Sequence, residues 1–322
     1  MEIAAHDHHT PTALTDSEQL NPALIRQLSK LKPWISVSHV VLEYVFIISA
    51  IVLCSLYGHP LLYVVCVMWI GARQHALAIL IHEAAHYRLV KHKPTNDFIG
   101  EVLLAFPIFV TLRGYRLSHR AHHRHMNTEH DPDWVSKETP DWEFPKTRAA
   151  LLFMLTKIAL GRNLVWMVRL IVKGGQAGGA TSANKKTRAF VAGRMVYYVT
   201  VIAVLTYFGW WAEFLLFWIV PLATWLQVIL RIRSIAEHFG LEYDHTFTEA
   251  RTTYPSLFDR LFIASKNVWY HLDHHLYPSV PFYNLPHLHT ELMALTGYQE
   301  RAHITKSYLG VLKECSASDY NH

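Results

Sequence analysis

The chain has 322 residues, of which 51% are apolar and only 17% charged, and its formal net charge is +5 with histidine neutral. This balance fits a membrane protein with substantial extramembrane mass. A nucleic-acid partner is excluded, because no basic–aromatic reading surface accompanies the positive charge; basic cytoplasmic loops account for it better. Cys54, Cys66 and Cys315 have no framework spacing, which excludes a disulfide scaffold.

Residues 1–39 are polar, carry His6, His8 and His9, and contain no apolar stretch near Met1. They read as a polar cytosolic segment that starts as a disordered tail, without a cleaved signal peptide. Residues 40–58 and 61–81 are apolar runs separated only by Gly58-His59-Pro60, a turn short enough to make an antiparallel helical hairpin. About 20 helical residues cross a bilayer core. An unbroken helix from Leu61 to His86 rises about 39 Å at 1.5 Å per residue, more than the ~30 Å hydrocarbon thickness. A first histidine cluster, His82-Glu83-Ala84-Ala85-His86, therefore emerges past the membrane. Arg73, Gln74 and His75 interrupt the second run. A mid-span arginine faces protein or water, so Arg73 either lines a substrate tunnel or makes a structural pair, with Glu43 as the partner. His75 alone is a poor ligand.

Residues 97–112 are apolar but short, with Glu101 and Pro107. If they spanned, the histidines on either side would be separated by the bilayer, and one metal centre cannot use ligands from both faces. The segment is expected to be re-entrant or interfacial. The second cluster, His119-Arg120-Ala121-His122-His123, follows it. Residues 129–145 are acidic, aromatic and proline-containing, and read as a loop. Over 148–173, Arg148, Arg162, Arg169 and Lys173 fall on one side of a helix while Lys157 falls opposite, which predicts an interfacial amphipathic helix. Gly174 to Lys186 reads as a linker.

Residues 189–208 and 210–230 form a second hairpin turning at Gly209, with Pro221 placed to kink the fourth span. Arg231 and Arg233 mark its exit, and Ala236-Glu237-His238 lies beyond membrane depth. The turns at 58–60 and 209 hold no Lys or Arg, whereas the segment between the hairpins is rich in both. The positive-inside rule then makes that segment, both termini and every histidine cluster cytosolic. The third cluster, His271-Leu272-Asp273-His274-His275, lies in the C-terminal part of a membrane domain spanning 40–300, and 301–322 reads as a tail.

In the two HxxHH clusters the imidazoles stand at i, i+3 and i+4, which share one helical face. The candidate ligands are His82, His86, His119, His122, His123, His238, His271, His274 and His275. Neutral imidazole suits zinc, iron, copper or nickel. One zinc takes about four ligands, or three in a catalytic site, so nine are too many for one ion and right for two. The clusters hold no cysteine, which argues against iron–sulfur and thiolate zinc sites. Two metals held by neutral rings form an electron-poor centre, suited to dioxygen once reduced. Glu83 is expected to hold an imidazole N–H from behind. Asp273 and Glu237 either do the same or face solvent, and Asn267 is a candidate water-bridging group. His125, His130, His245, His287 and His289 read as surface or loop histidines.

Other readings compete. His82-Glu83-x-x-His86 is also the HExxH signature of zinc proteases, but that reading leaves the other clusters unexplained. A metal transporter would place ligands near the bilayer midplane, whereas these lie after the spans.

The order HxxxH, HxxHH, HxxHH, with Ala-Glu-His before the last, resembles the membrane fatty acid desaturase family, whose relatives include hydroxylases and ketolases. The stretch His274-His275-Leu276-Tyr277-Pro278-Ser279-Val280-Pro281 resembles bacterial acyl desaturases. The likeness covers roughly residues 35 to 300. It implies an all-α integral membrane protein, with four transmembrane helices in two hairpins and a helical cytosolic cap holding a di-iron site. It also implies two iron ions as cofactor, dioxygen as co-substrate, and electrons from an external carrier, a ferredoxin or a b-type cytochrome, since no fused haem domain is visible. An acyl chain on a lipid or thioester is the implied substrate. A carotenoid or specialised metabolite stays open, as does hydroxylation in place of desaturation.

Overall fold

The computed structural model describes residues 14–165 and 185–317. His6, His8, His9, Arg169, Lys173 and most of the expected linker lie outside the described residues. Among those described, four helices are long and apolar enough to cross a membrane. The first two of these, and a short helix before them, begin from local signals. Both α1 (Pro22–Leu28) and α2 (Pro33–Tyr57) open on a proline, whose missing N–H is one that a helix start leaves unbonded anyway. α2 ends where Gly58 turns to φ +58° and its N–H bonds back to Cys54 O at 2.9 Å. α3 (Pro60–Ala85) restarts on a second proline. The two helices pack together, with Cys66 Sγ 3.5 Å from Ala50 O. α2 leaves Val41, Val45, Ile48 and Val52 exposed, whereas nearly every side chain of α3 from Ile70 onward is buried. α3 is thus the central helix and α2 an outer one.

α4 (Lys93–Phe98) continues through a π-helical stretch, Ile99–Ala105, and a 3-10 turn, Phe106–Ile108. The chain then bends by 96° into α5 (Leu112–His125). The Glu101 carboxylate makes the bend, accepting from Leu112 N at 2.9 Å and Arg113 N at 3.0 Å. The segment that sequence assigns as re-entrant or interfacial is the first arm of a bent pair whose second arm, α5, returns to the end of α3. Gly100 permits the close approach: a Cβ there would lie 2.9 Å from Ala84 Cβ and 2.7 Å from Leu112 Cδ2. Gly100→Val should cost about 1–3 kcal/mol as overpacking, seen as a lower melting temperature in detergent. Gly193→Val, where nothing lies within 4 Å, is the control, and equal losses in both would remove the steric explanation.

The expected loop at 129–145 contains α6 (Pro132–Val135), capped by Asp131. The amphipathic helix expected over 148–173 is interrupted: α7 (Arg148–Ala159) stops as Gly161 takes φ +85°, residues 164–165 are helical again, and the rest of that stretch lies outside the described residues. One face of α7 is buried, through Leu151, Met154 and Ile158. α8 (Lys185–Phe208) and α9 (Trp211–His238) follow. α9 is irregular, with a π stretch at Leu215–Ile219 and a break at Thr224 before its regular last part, Trp225–His238. Pro221 lies between them and brings no N–H to the carbonyl four residues back, so the disturbance sits around the expected proline kink. Gly71 on α3 lets α9 come close, since a Cβ there would meet Trp225 Cβ at 3.0 Å.

The C-terminal part holds α10 (Leu257–Phe262), α11 (His271–Leu276), α12 (Leu285–Leu292), α13 (Thr296–Arg301) and α14 (Tyr308–Glu314). Two small parallel ladders interrupt the helices: β1 (Lys146–Thr147) with β4 (Ser316–Ala317), and β2 (Thr252–Tyr254) with β3 (Ile304–Lys306). Residues before 40 and after 300 contribute to the core. Leu20 and Leu28 are buried, and Leu20 N donates to Tyr277 OH at 2.8 Å. Tyr308, Val311 and Cys315 are buried beside α9.

Arg73 pairs with Glu43 at 3.4 Å and donates to Leu261 O at 3.0 Å. Lys266 Nζ reaches the same carboxylate at 2.7 Å. Of the two readings of Arg73, the structural pair is the one observed. All three charges are buried, so removing Glu43 would leave two cations unpaired.

Candidate metal centre

Helix ends deliver the histidines. α3 carries His82 in its last turn and His86 at its C-cap, and α9 ends on His238. α5 carries His119, His122 and His123, and α11 carries His271, His274 and His275. All nine meet in two groups: His82, His86, His119, His123 and His274 in one, and His122, His238, His271 and His275 in the other. Within each group the potential ligand atoms lie within 4.8 Å of one another. Both HxxHH clusters divide alike. The i and i+4 rings join one group and the i+3 ring joins the other, so α5 and α11 each feed both. The groups adjoin, with the His123 and His275 rings stacked at 4.3 Å.

The ring nitrogens face each other in a way hydrogen bonds do not satisfy. His119 Nε2 lies 2.8 Å from His86 Nε2 and 3.0 Å from His123 Nε2. His123 Nε2 is also 3.1 Å from His274 Nε2. In the second group His271 Nε2 lies 2.9 Å from His238 Nε2 and 3.0 Å from His275 Nε2. A ring nitrogen has either one N–H or one in-plane lone pair, so it cannot serve two such neighbours as a bond. Lone pairs converging on a central cation fit instead. With a metal–nitrogen bond of about 2.0–2.1 Å, opposed ligands stand about 4.2 Å apart, close to the observed spread.

Behind the rings, the polar partners differ from expectation. Asp131, to which sequence gave no role, is buried and accepts from His122 Nδ1 at 2.8 Å. Burial alone would raise its carboxyl. The bond from His122 and the backbone N–H groups of Asp133 and Asn127 outweigh that and hold it below the ordinary value. Glu83 stands 3.6 Å from His82 Nδ1 and accepts from Phe282 N at 3.1 Å. Glu237 stands 3.6 Å from His271 Nδ1 and is paired with Arg233, which donates to His75 Nε2 at 2.8 Å. Asp273 neither holds a ligand nor faces solvent. It is fully buried and bonds His289 Nδ1 at 2.8 Å and Thr252 Oγ1 at 2.7 Å, which fixes α11 to β2 and α12. His289 is accordingly a buried structural histidine rather than a surface one. His245 is also buried and caps a 3-10 turn. Asn267 donates to Phe282 O at 3.0 Å in a turn of positive φ, so its amide is engaged in loop structure.

Burial, with the nearby Arg88, Arg120 and Arg116, pushes His86 down to about 4, and burial with His86 and His122 pushes His123 to about 3. Burial and neighbouring imidazoles likewise take His271, His274 and His275 well below the ordinary value. All are therefore neutral at physiological pH, the form that binds metal. In metal-free protein the unfolded chain takes up protons first, from about pH 6.5 downward. Stability is whole above that pH and is lost as pH falls toward the folded values near 4 and 3. Melting of metal-stripped protein should show this acid-side decline; a flat profile from pH 8 to 4 would mean the rings are solvated.

Comparison with known proteins places the whole centre inside one match. Residues 58–307 fit the family described as fatty acid desaturase. The chain is 28% identical over 300 residues to dihydrorhizobitoxine desaturase of Bradyrhizobium elkanii, covering 89% of this chain and 84% of that one. It is 23% identical over 245 residues to an sn-1 acyl-lipid omega-3 desaturase (ferredoxin) of Nostoc sp. (strain 36), covering 68% and 64%. To the chloroplastic omega-6 fatty acid desaturase of Spinacia oleracea it is 22% identical over 279 residues, covering 82% and 60%. The match thus spans less than two thirds of the last two relatives.

Proposed function

The chain belongs to the fatty acid desaturase family, a membrane oxidoreductase family, and on that premise we propose that it is a dioxygen-dependent di-iron desaturase acting on an acyl chain. The observation that carries this reading is the pair of adjoining all-imidazole groups. Iron bound there, once reduced, supplies dioxygen activation and removal of hydrogen from an unactivated C–H bond. The nine imidazoles bind through neutral nitrogens and bring no negative charge. Asp131 fixes the tautomer of His122 by accepting its Nδ1 proton, so that Nε2 faces the group. Glu83 and Glu237 stand behind His82 and His271. The reaction balances as CH2–CH2 plus dioxygen, two electrons and two protons giving CH=CH and two waters. Two electrons come from the substrate C–H pair and two from a separate carrier, a ferredoxin or a b-type cytochrome. The basic segment between the hairpins supports a cytosolic position for the centre.

A second substrate reading has its own support. The relative that shares 84% of its length with this chain is named for dihydrorhizobitoxine, not for a fatty acid. A specialised metabolite is therefore the alternative on the same centre, and substrate positioning decides between alkene and alcohol. Metal analysis and product mass spectrometry test the proposal. Two irons per chain and a product two mass units below the substrate are expected; sixteen above would mean hydroxylation. One zinc and no iron would sink it in favour of the protease.

A further inference from the structure

The reaction just proposed needs a protein to deliver its electrons, and one surface beside the centre fits that task. α5 has two opposed faces. His119, His122 and His123 point inward, while positions 113, 117, 120 and 124 recur at i, i+4, i+7 and i+11 on the outer side. Arg113, Arg120 and Arg124 are exposed there. Between them Leu117 is 52% exposed, an apolar centre in a basic ring. Among the described residues no carboxylate forms an ion pair with Arg120 or Arg124. The nearby acids are engaged: Asp97 pairs with Arg116 at 2.5 Å, and Glu101 is bound to backbone N–H groups.

The patch continues onto Tyr87, the residue after the candidate ligand His86. Three cations surround its ring: Arg116 at 4.2 Å, Lys93 at 5.2 Å and Arg120 at 5.9 Å from the centroid. Tyr87 also holds a backbone φ of +59°, a conformation that costs a non-glycine residue about 1 kcal/mol or more and persists where surroundings enforce it. A partly exposed aromatic thus sits under a basic surface, one peptide bond from a ring that contacts His119 at 2.8 Å.

The geometry points to this outer face of α5, with Tyr87 and Lys93, as the docking surface for an acidic one-electron carrier protein of the ferredoxin class. This rests on the proposed reaction, to which the carrier supplies two electrons in successive encounters. An anionic bilayer would also attract arginine. An apolar centre with arginines and an aromatic is, however, the composition of a protein interface, and only a redox partner gains from lying one residue from a ligand. Opposite charge steers such an encounter and makes it salt-dependent.

The test uses the full-length protein in nanodiscs of neutral lipid, with an acidic plant-type [2Fe–2S] ferredoxin as probe. The double variant Arg120→Glu, Arg124→Glu changes only exposed side chains. It should weaken ferredoxin binding about tenfold or more, and wild-type binding should fall as salt rises. Product formed with dithionite as reductant should fall much less than product formed with ferredoxin, for which KM rises. Tyr87→Leu should weaken ferredoxin binding less than the double charge reversal does, and slow ferredoxin-driven turnover more than dithionite-driven turnover. Unchanged ferredoxin binding in the double variant would overturn the docking surface, and so would a variant that differs from wild type only in parallel nanodiscs containing anionic lipid. Binding needs no turnover, so a protein that formed no product with either reductant, yet lost ferredoxin binding in the variant, would overturn the reaction and leave the docking surface standing.

Discussion

His274→Ala is expected to abolish product formation while leaving the protein folded. The ring is buried within the five-histidine group, 3.1 Å from His123 Nε2, with ring centroids 4.3 Å from His82 and 4.9 Å from His86. Its Nδ1 has no hydrogen-bond partner, so the side chain holds nothing in place except through the nitrogen that faces the group. Removing a partner behind a ligand typically costs 10–100-fold in affinity or activity, and removing the ligand itself should cost more. The expected result is no detectable product, and iron falling from about two toward one per chain under a competing chelator. His287→Ala is the comparison: His287 is exposed, and its Nε2 stands 3.3 Å from Glu291 on the same helix. It should keep full activity. Retained turnover in His274→Ala would remove the third cluster from the reaction.

The nine candidate ligands were legible because their spacing carries geometry. An i, i+4 pair on any helix stands on one face, and the run length from Leu61 to His86 put the first pair beyond the apolar stretch. The division into two groups was not legible. Whether the i+3 ring joins its neighbours or a second group depends on how α5 and α11 approach each other, and no local pattern encodes that. Asp131 was missed for a related reason. It sits in an acidic loop among Glu129, Asp133 and Glu138, and nothing in the order of residues marks which carboxylate turns inward. The break after α7 was not legible because the basic residues keep their helical spacing past Gly161, while the backbone leaves the helix at that glycine. Asp273 lies inside a ligand motif yet serves His289 and Thr252. Motif membership identified its helix but not its direction.

Asp131→Asn separates the two groups and so tests the division directly. Asp131 Oδ2 accepts from His122 Nδ1 at 2.8 Å and from Asn127 N at 3.1 Å, and Oδ1 accepts from Asp133 N at 2.9 Å. All three partners are donors, which suits a carboxylate with two accepting oxygens. Asparagine offers one oxygen and an NH2 group, so one side of the site must set donor against donor. If the NH2 faces His122, that ring loses its charge-assisted partner and the hold on its tautomer. If it faces Asp133, the cap of α6 is lost and the charge behind His122 is still gone. Either way the disturbance enters through His122, which belongs to the four-histidine group alone. Iron in that group should bind about 10–100-fold more weakly, while the five-histidine group keeps its own. Chelator titration should then resolve one weakened and one unchanged iron, where wild type releases both at higher chelator, and turnover should fall with the weaker occupancy. Equal weakening of both would mean that Asp131 acts on the fold as a whole. No weakening would mean that the His122 bond is not what orients the ring.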